Sequence, residues 1–220
     1  MIAYYHLRVS EVLCCLAVYV GNRNSFEKLI SMAFYNSTHG DDTINGGAGA
    51  DLIDGMRGDD TISGGAGDDT IDGGKGDDII NGDRGNDTIE GGNGNDTIDG
   101  GTGRDNIDGG RGDDIIDGGN GADTIDGGRG DDDIDGGNDN DLIDGGNGRD
   151  TIEGGQGHDT IEGGLGHDVI YGGAGNDVIS GGRDNDFIDG GSRNDTIDGG
   201  TGSDWLIGAE GTDSIEGGSG

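Results

Sequence analysis

The sequence predicts a solenoid, a fold in which short units repeat along one axis, and three observations support this prediction. Nineteen consecutive nine-residue units, Gly-Gly-x-Gly-x-Asp-x-Ile-x, run without a gap from Gly46 to Glu216. Gly holds position 1 and Asp holds position 6 in every unit. Position 8 is Ile in every unit but one, where Leu206 replaces it. A period this strict is the sequence signature of a solenoid.

The composition excludes an ordinary globular core and several classes of partner. Of 220 residues, 56 are Gly and only 28% are hydrophobic, while the formal net charge is −35. Such a composition is typical of disordered acidic chains, but the chain has no Pro and its acids fall at fixed phases of the repeat. The charge argues against nucleic acid and membrane insertion and favours cations as partners.

Residues 1–36 differ from the repeat and are interpreted as a leader or cap. The apolar run at 12–20 is too short to span a bilayer, and a cleaved signal peptide or an incorrectly assigned start codon are alternatives. Residues 24–34 combine a capping box at Asn24 and Glu27 with helical apolar spacing. This pattern predicts a short helix that covers the first coil of the solenoid.

The repeat region is predicted to span residues 37–220. Gly40, Asp42 and Ile44 already stand in phase as positions 4, 6 and 8 of a partial unit. Residues 217–220 begin a twentieth unit, and no closing cap follows in the sequence. The adjacent Cys14 and Cys15 lie outside the repeat and give no disulfide framework.

The repeat is predicted to need a bound cation in order to fold. One buried Ile in nine residues returns far less free energy than ordering a Gly-rich unit costs, and stacked Asp side chains repel one another. The available donors are Asp and Asn oxygens and turn carbonyls, which suit a hard cation and not zinc or copper. Calcium tolerates such variable, carbonyl-rich coordination better than magnesium.

The glycines at positions 1, 2 and 4 are expected to let turn carbonyls face the ion, in backbone conformations that a side chain would obstruct. Six units break the pattern and are predicted to be weaker sites. The exceptions are Met56, Asp83 and Ala209 at position 2, and Asp139, Asp184 and Arg193 at position 4.

The nonapeptide resembles that of the RTX (repeats-in-toxin, haemolysin-type calcium-binding) family, and the resemblance covers residues 46–216. It implies an all-β fold, a right-handed parallel β-roll in which positions 1–6 form a turn and positions 7–9 a strand. Two nonapeptides would make one coil, and calcium would lie between units two apart, such as those of Asp51 and Asp69. At ~4.8 Å per coil the rod would be on the order of 45 Å long.

The resemblance assigns the position-6 aspartates as calcium ligands. The candidate ligands are Asp42, Asp51, Asp60, Asp69, Asp78, Asp87, Asp96, Asp105, Asp114, Asp123, Asp132, Asp141, Asp150, Asp159, Asp168, Asp177, Asp186, Asp195, Asp204 and Asp213.

The function expected from the sequence is calcium binding without catalysis, because residues 46–216 offer no nucleophile–base pair. The module would act as a folding switch, stabiliser or spacer of a secreted or cell-surface bacterial protein. An adhesin-type ligand-binding rod, or a module left from a larger secreted enzyme or toxin, are the alternatives. Exposed aromatic residues such as Phe187 and Trp205 also suggest end-to-end self-association as a further interpretation.

Three further patterns have weaker interpretations. His158 and His167 suggest zinc, but consecutive units would lie on opposite edges and keep the two rings apart. Position 7 carries eight Thr residues, and a regular Thr row would suggest ice binding, although Asn106, Leu142 and Val178 interrupt it. Position 9 is acidic in 14 of 19 units, which predicts a solvated surface or a secondary layer of weak cation binding.

Overall fold

Successive nonapeptides alternate between two β-sheets in the computed structural model. The structure describes residues 15–17 and 31–220, with side chains described for residues 33–35 and 37–220. The first sheet has 12 strands and the second has 10.

The first sheet contains Cys15–Ala17, Ser31–Asn36, Leu52–Asp54, Thr70–Lys75, Thr88–Asn93, Asn106–Arg111, Thr124–Asp126, Leu142–Asp144, Thr160–Leu165, Val178–Arg183, Thr196–Asp198 and Ser214–Glu216. The second sheet contains Thr43–Ala48, Thr61–Ala66, Ile79–Arg84, Thr97–Asp99, Ile115–Asp117, Asp133–Asp135, Thr151–Glu153, Val169–Tyr171, Phe187–Asp189 and Trp205–Ile207.

The register of the strands shows that two nonapeptides make one coil. Ile71 aligns with Ile89 in the first sheet and Ile62 with Ile80 in the second, so paired residues are always 18 apart in the repeat. All strand pairs within residues 31–220 are parallel. The predicted parallel β-solenoid with two units per coil is confirmed.

The core consists of the position-8 Ile side chains from both sheets. Side chains alternate across a strand, so positions 7 and 9 point outward when position 8 points inward. The position-8 Ile residues from Ile53 to Ile197 are 0–2% exposed, and Tyr35, Ile44 and Leu206 pack against them. The hydrophobic core between the two sheets therefore holds one large apolar side chain per unit.

The N-terminal segment does not follow the helical prediction where it is described. Ser31–Asn36 is a strand that pairs in parallel with Leu52–Asp54 and antiparallel with Cys15–Ala17. The predicted helix over 24–34 is therefore wrong for residues 31–34, and residues 24–30 lie outside the described residues. The edge of the first coil offers unpaired backbone groups, and pairing with them outweighs the local helical pattern.

Residues 15–17 and 31–220 contain no helix that could span a bilayer. Most of the apolar run at 12–20, including Cys14, lies outside the part of the chain that the structure describes. The division into a leader of residues 1–36 and a repeat from residue 37 stays a prediction.

Candidate metal centre

The turns at positions 1–6 adopt a backbone that explains two of the three glycine positions. Gly128 at position 2 and Gly130 at position 4 have φ of 93° and 140°, in the left-handed region that favours Gly. The six exceptions named from the sequence adopt positive φ too, and they are the only described non-Gly residues that do so. They are Met56 (66°), Asp83 (68°), Asp139 (80°), Asp184 (80°), Arg193 (86°) and Ala209 (59°).

Position 1 is Gly for a different reason. Gly127 does not have a left-handed φ, but a Cβ built on it would lie 2.7 Å from the carbonyl oxygen of Gly145 and 2.8 Å from Oδ2 of Asp132. No carbon atom fits at those distances without displacing its neighbours. Position 1 therefore keeps space open between two oxygens, which corrects the expectation that it serves the backbone conformation.

The position-6 aspartates form two continuous ladders along the solenoid. The backbone N–H of Asp132 donates to Oδ1 of Asp150, at 2.9 Å. The same bond joins Asp51 to Asp69 at 2.7 Å. Equivalent bonds of 2.7–3.1 Å recur at every step of 18 residues, from the Asp42–Asp60 pair to the Asp195–Asp213 pair. One carboxylate oxygen of each Asp thus belongs to the stacking of the coils.

The second oxygen of these carboxylates is buried and has no partner. From Asp51 to Asp204, at nine-residue intervals, Oδ2 of every position-6 Asp lacks a hydrogen bond. The residues from Asp51 to Asp195 are only 0–4% exposed. A buried ionised carboxylate oxygen without a partner is costly, so eighteen such atoms in one fold favour the binding of a cation beside them.

The electrostatics of these carboxylates point the same way. Burial raises the pKa of Asp150 to about 7. The hydrogen bond from the N–H of Asp132 lowers this pKa, and the negative charges of Asp168 and Asp132 raise it. Burial likewise raises the pKa to about 7 for Asp78, Asp87, Asp114 and Asp141. Each ladder therefore favours either protons or a bound cation at neutral pH.

The polar atoms that face the position-1 glycines are all oxygens. At Gly127 the carbonyl oxygen of Gly145 and Oδ2 of Asp132 face the same small space. Within residues 33–35 and 37–220, no three side chains of His, Cys, Asp or Glu converge as a metal cluster, so carbonyl oxygens would have to complete the coordination. An all-oxygen set rich in carbonyls fits calcium.

The two terminal candidates differ from the other eighteen. Oδ2 of Asp42 accepts hydrogen bonds from the N–H and the hydroxyl of Thr38, both at 2.8 Å, so this carboxylate is already satisfied locally. Asp213 in the last unit is half-buried, and its Oδ1 accepts from the N–H of Asp195 at 3.0 Å. The geometry shared by the inner candidates is therefore incomplete at both ends.

A second ladder, which the sequence reasoning missed, runs through position 5. The N–H of Asp131 donates to Oδ1 of Asp113 at 2.9 Å, and the N–H of Asn176 donates to Nδ1 of His158 at 2.8 Å. His167 accepts in the same way from Asn185, so each imidazole belongs to its own column. The enrichment of Asp and Asn at position 5 was the signal that could have revealed this ladder.

The position-9 carboxylates form separate rows on the outer faces. Asp72, Glu90 and Asp108 align in the first sheet, and Oδ1 of Asp144 accepts from the N–H of Gly146 at 3.0 Å. Burial, with added repulsion from Glu90, raises the pKa of Asp72. These rows lie on the strands, away from the turns that carry the position-6 aspartates.

Comparison with known proteins gives one family match. The model of the RTX calcium-binding nonapeptide repeat, which describes four copies, matches residues 38–62, 54–89, 90–125, 117–152, 153–188 and 189–220. A search of curated proteins found no match. Among solved structures, the chain is similar to a hyperactive, Ca²⁺-dependent, β-helical antifreeze protein from an Antarctic bacterium. The two are 21% identical over 87% of this chain and 85% of that chain, with a TM-score of 0.32.

Proposed function

This chain belongs to the RTX calcium-binding nonapeptide repeat family, and we propose that it is a calcium-dependent β-roll that acts as a folding, stabilising or spacer module outside the cell. The position-6 aspartates are the proposed ligands, together with turn carbonyls. The proposal gives the chain no catalytic step.

The observation that carries the proposal is the set of buried, unpartnered Oδ2 atoms beside the position-1 glycines. An ion at this position neutralises the carboxylates, which burial otherwise penalises. Oδ2 of Asp132 and the carbonyl oxygen of Gly145, which would hold the ion, belong to neighbouring coils. Calcium binding and coil stacking are thereby coupled.

Linkage explains how such a module responds to its surroundings. An ion that binds only the folded form stabilises it by mass action. Calcium modules of extracellular proteins have affinities of about 10⁻⁴–10⁻³ M, so the chain would stay unfolded at cytosolic calcium and order after export. This argument supports a secreted or cell-surface location.

Circular dichroism during a calcium titration tests the proposal, with magnesium titrated in parallel. We expect a chain without β-structure after exhaustive removal of calcium and a cooperative gain of β-structure as calcium rises. A chain that is already β-rich at neutral pH without calcium would contradict the folding switch. A transition driven equally well by magnesium would contradict the assignment to calcium.

A further inference from the structure

The aromatic side chains of the repeat gather on one outer patch. Tyr171, Phe187 and Trp205 are the only Phe, Tyr or Trp residues between Gly46 and Glu216. The ring centroids of Tyr171 and Phe187 lie 5.9 Å apart, and those of Phe187 and Trp205 lie 6.2 Å apart, with planes tilted by 57° in both pairs. These three rings form an aromatic strip across three coils of the second sheet.

The aromatic strip is open to solvent. Trp205 is 67% exposed and Tyr171 is 42% exposed, while Phe187 between them is half-buried. The repeat commonly places Thr at position 7, the position of Phe187 and Trp205, and an acid at position 9, the position of Tyr171. The fold therefore does not require aromatic residues at these places.

Two carboxylates flank the ring of Tyr171. Glu153 precedes it and Asp189 follows it in the same position-9 row. With Gly173 and Gly191 these residues line a shallow pocket of about 340 Å³. Oδ1 of Asp189 accepts from the N–H of Gly191 at 3.2 Å. The carboxylate of Glu153 makes no hydrogen bond or ion pair with the side chains described, those of residues 33–35 and 37–220. An aromatic face between two carboxylates matches an organic cation.

The negative charge of the sheet face around the aromatic strip also favours a cationic partner. No unit carries Lys or Arg at position 7 or position 9, so the outer rows contain no cation. On the second sheet the acidic row continues through Asp99, Asp117 and Asp135 to Glu153. Its field attracts basic ligands and repels anionic polymers and lipids.

We propose that the aromatic strip, together with Glu153 and Asp189, is a docking surface for an Arg- or Lys-bearing segment of a partner protein. The cationic group lies against Tyr171 between the two carboxylates, and apolar neighbours in the segment pack on Phe187 and Trp205. This surface is distinct from the calcium turns, but it exists only while the roll is folded.

The test uses the full chain in saturating calcium with a short synthetic peptide of alternating Arg and Leu residues. Trp205 is the only Trp of the chain, so its fluorescence reports binding at the strip, and calorimetry gives the affinity. The same peptide with citrulline in place of Arg should bind at least about tenfold more weakly, since it lacks the charge that the ring and the carboxylates recognise.

Variants separate the strip from the general negative charge. Tyr171→Ser, Phe187→Thr and Trp205→Thr together preserve the net charge and place residues that other units already use. They should weaken the Arg peptide about tenfold or more, as should Glu153→Gln with Asp189→Asn. The matched control, Leu142→Thr with Asp126→Asn and Asp144→Asn on the first sheet, removes the same number of carboxylates and should leave binding unchanged.

Equal binding by the triple variant, or by the citrulline peptide, would overturn the proposal. Preferential binding of a neutral oligosaccharide such as cellohexaose, abolished by the triple variant, would overturn it in favour of a glycan. Circular dichroism with calcium verifies the fold of each variant, independently of peptide binding. If the triple variant does not fold, the single variant Tyr171→Ser is tested in its place. An unchanged affinity of this variant for the Arg peptide contradicts the proposal.

Discussion

The backbone N–H of Asp132 donates to Oδ1 of Asp150, while Oδ2 of Asp150 is buried without a partner. One oxygen therefore holds two coils together, and the other is left for an ion. An Asn at this position could accept the inter-coil N–H through its side-chain oxygen, but its neutral NH2 group would replace the oxygen that is left for the ion. Because each of the two carboxylate oxygens has its own role, position 6 is Asp in all nineteen units.

Acid should order the roll in the absence of calcium. Burial raises the folded-state pKa of Asp114, Asp141 and Asp150 to about 7, from an ordinary value of 3.8. A raised folded pKa makes stability greatest below the unfolded pKa and removes it as pH rises through the folded pKa. Calcium-free protein should therefore gain β-structure as pH falls from about 7 towards 5, measured by circular dichroism.

The calcium requirement supplies the control for this pH effect. Protons and calcium compete for the same carboxylates, so the ordered roll should bind calcium more weakly at pH 5.5 than at pH 7.5, measured by equilibrium dialysis. Calcium-free protein whose β-structure declines on acidification would contradict the sign of the shift. Removal of calcium by dialysis avoids the pH dependence of chelators.

Substitution at Asp150 should separate the two oxygen roles. Asp150→Asn keeps an acceptor for the N–H of Asp132 but loses the charge, so it should raise the calcium midpoint several-fold. Asp150→Ala also leaves the buried N–H of Asp132 without an acceptor, and should cost a further ~1–3 kcal/mol of unfolding free energy in saturating calcium. Calcium titration and urea unfolding measure the two effects, and Asp213→Asn in the half-exposed last unit is the matched control.

Equal behaviour of Asp150→Asn and Asp150→Ala in urea would show that the inter-coil bond contributes nothing. An effect of Asp213→Asn as large as that of Asp150→Asn would contradict the importance of burial. Additivity is not expected for neighbouring ladder positions, because they share one network.

A methyl group at position 1 should disturb the metal turn. In Gly127→Ala the new Cβ meets Gly145 O at 2.7 Å and Asp132 Oδ2 at 2.8 Å, so coils must separate or the carboxylate must rotate. We expect a calcium midpoint at least several-fold higher and a lower melting temperature. Gly217→Ala is the control, since nothing lies within 4 Å of its Cβ, and it should change neither quantity.

The sequence predicted the repeat geometry well because the nine-residue period places Gly at the positions where the backbone has a positive φ. Met56 and Arg193 break the Gly pattern, and both keep the positive φ that the pattern implies. The role of Gly127 was misjudged because sequence shows that a side chain is absent, but not which atoms approach. The strand at Ser31–Asn36 was missed because its partner, Leu52–Asp54, is distant in sequence.

The position-5 ladder was missed for a related reason. Its donor and acceptor, such as Asp131 and Asp113, are 18 residues apart, so the bond becomes evident only once the coil length is known. Within a single unit, Asp and Asn at position 5 are typical turn residues and indicate nothing more. Their role emerges from stacking, not from the local turn.

Restoring Gly at Arg193 should stabilise the roll. Arg193 holds a φ of 86°, and a non-Gly residue in the left-handed region costs about 1–2 kcal/mol. Arg193→Gly should therefore raise the melting temperature in calcium and lower the calcium midpoint. Asp139→Gly, at a φ of 80°, should gain less, because Asp tolerates this region better than Arg.

The control for charge is Arg129→Gly at position 3, which lacks a positive φ among the described backbone angles. It removes the same cation but relieves no strain, and added Gly entropy in the unfolded chain should destabilise it slightly. Stabilisation by Arg129→Gly equal to that of Arg193→Gly would show that charge, and not backbone strain, limits these units. The opposite signs expected for the two variants make the strain at position 4 measurable in one pair of melting curves.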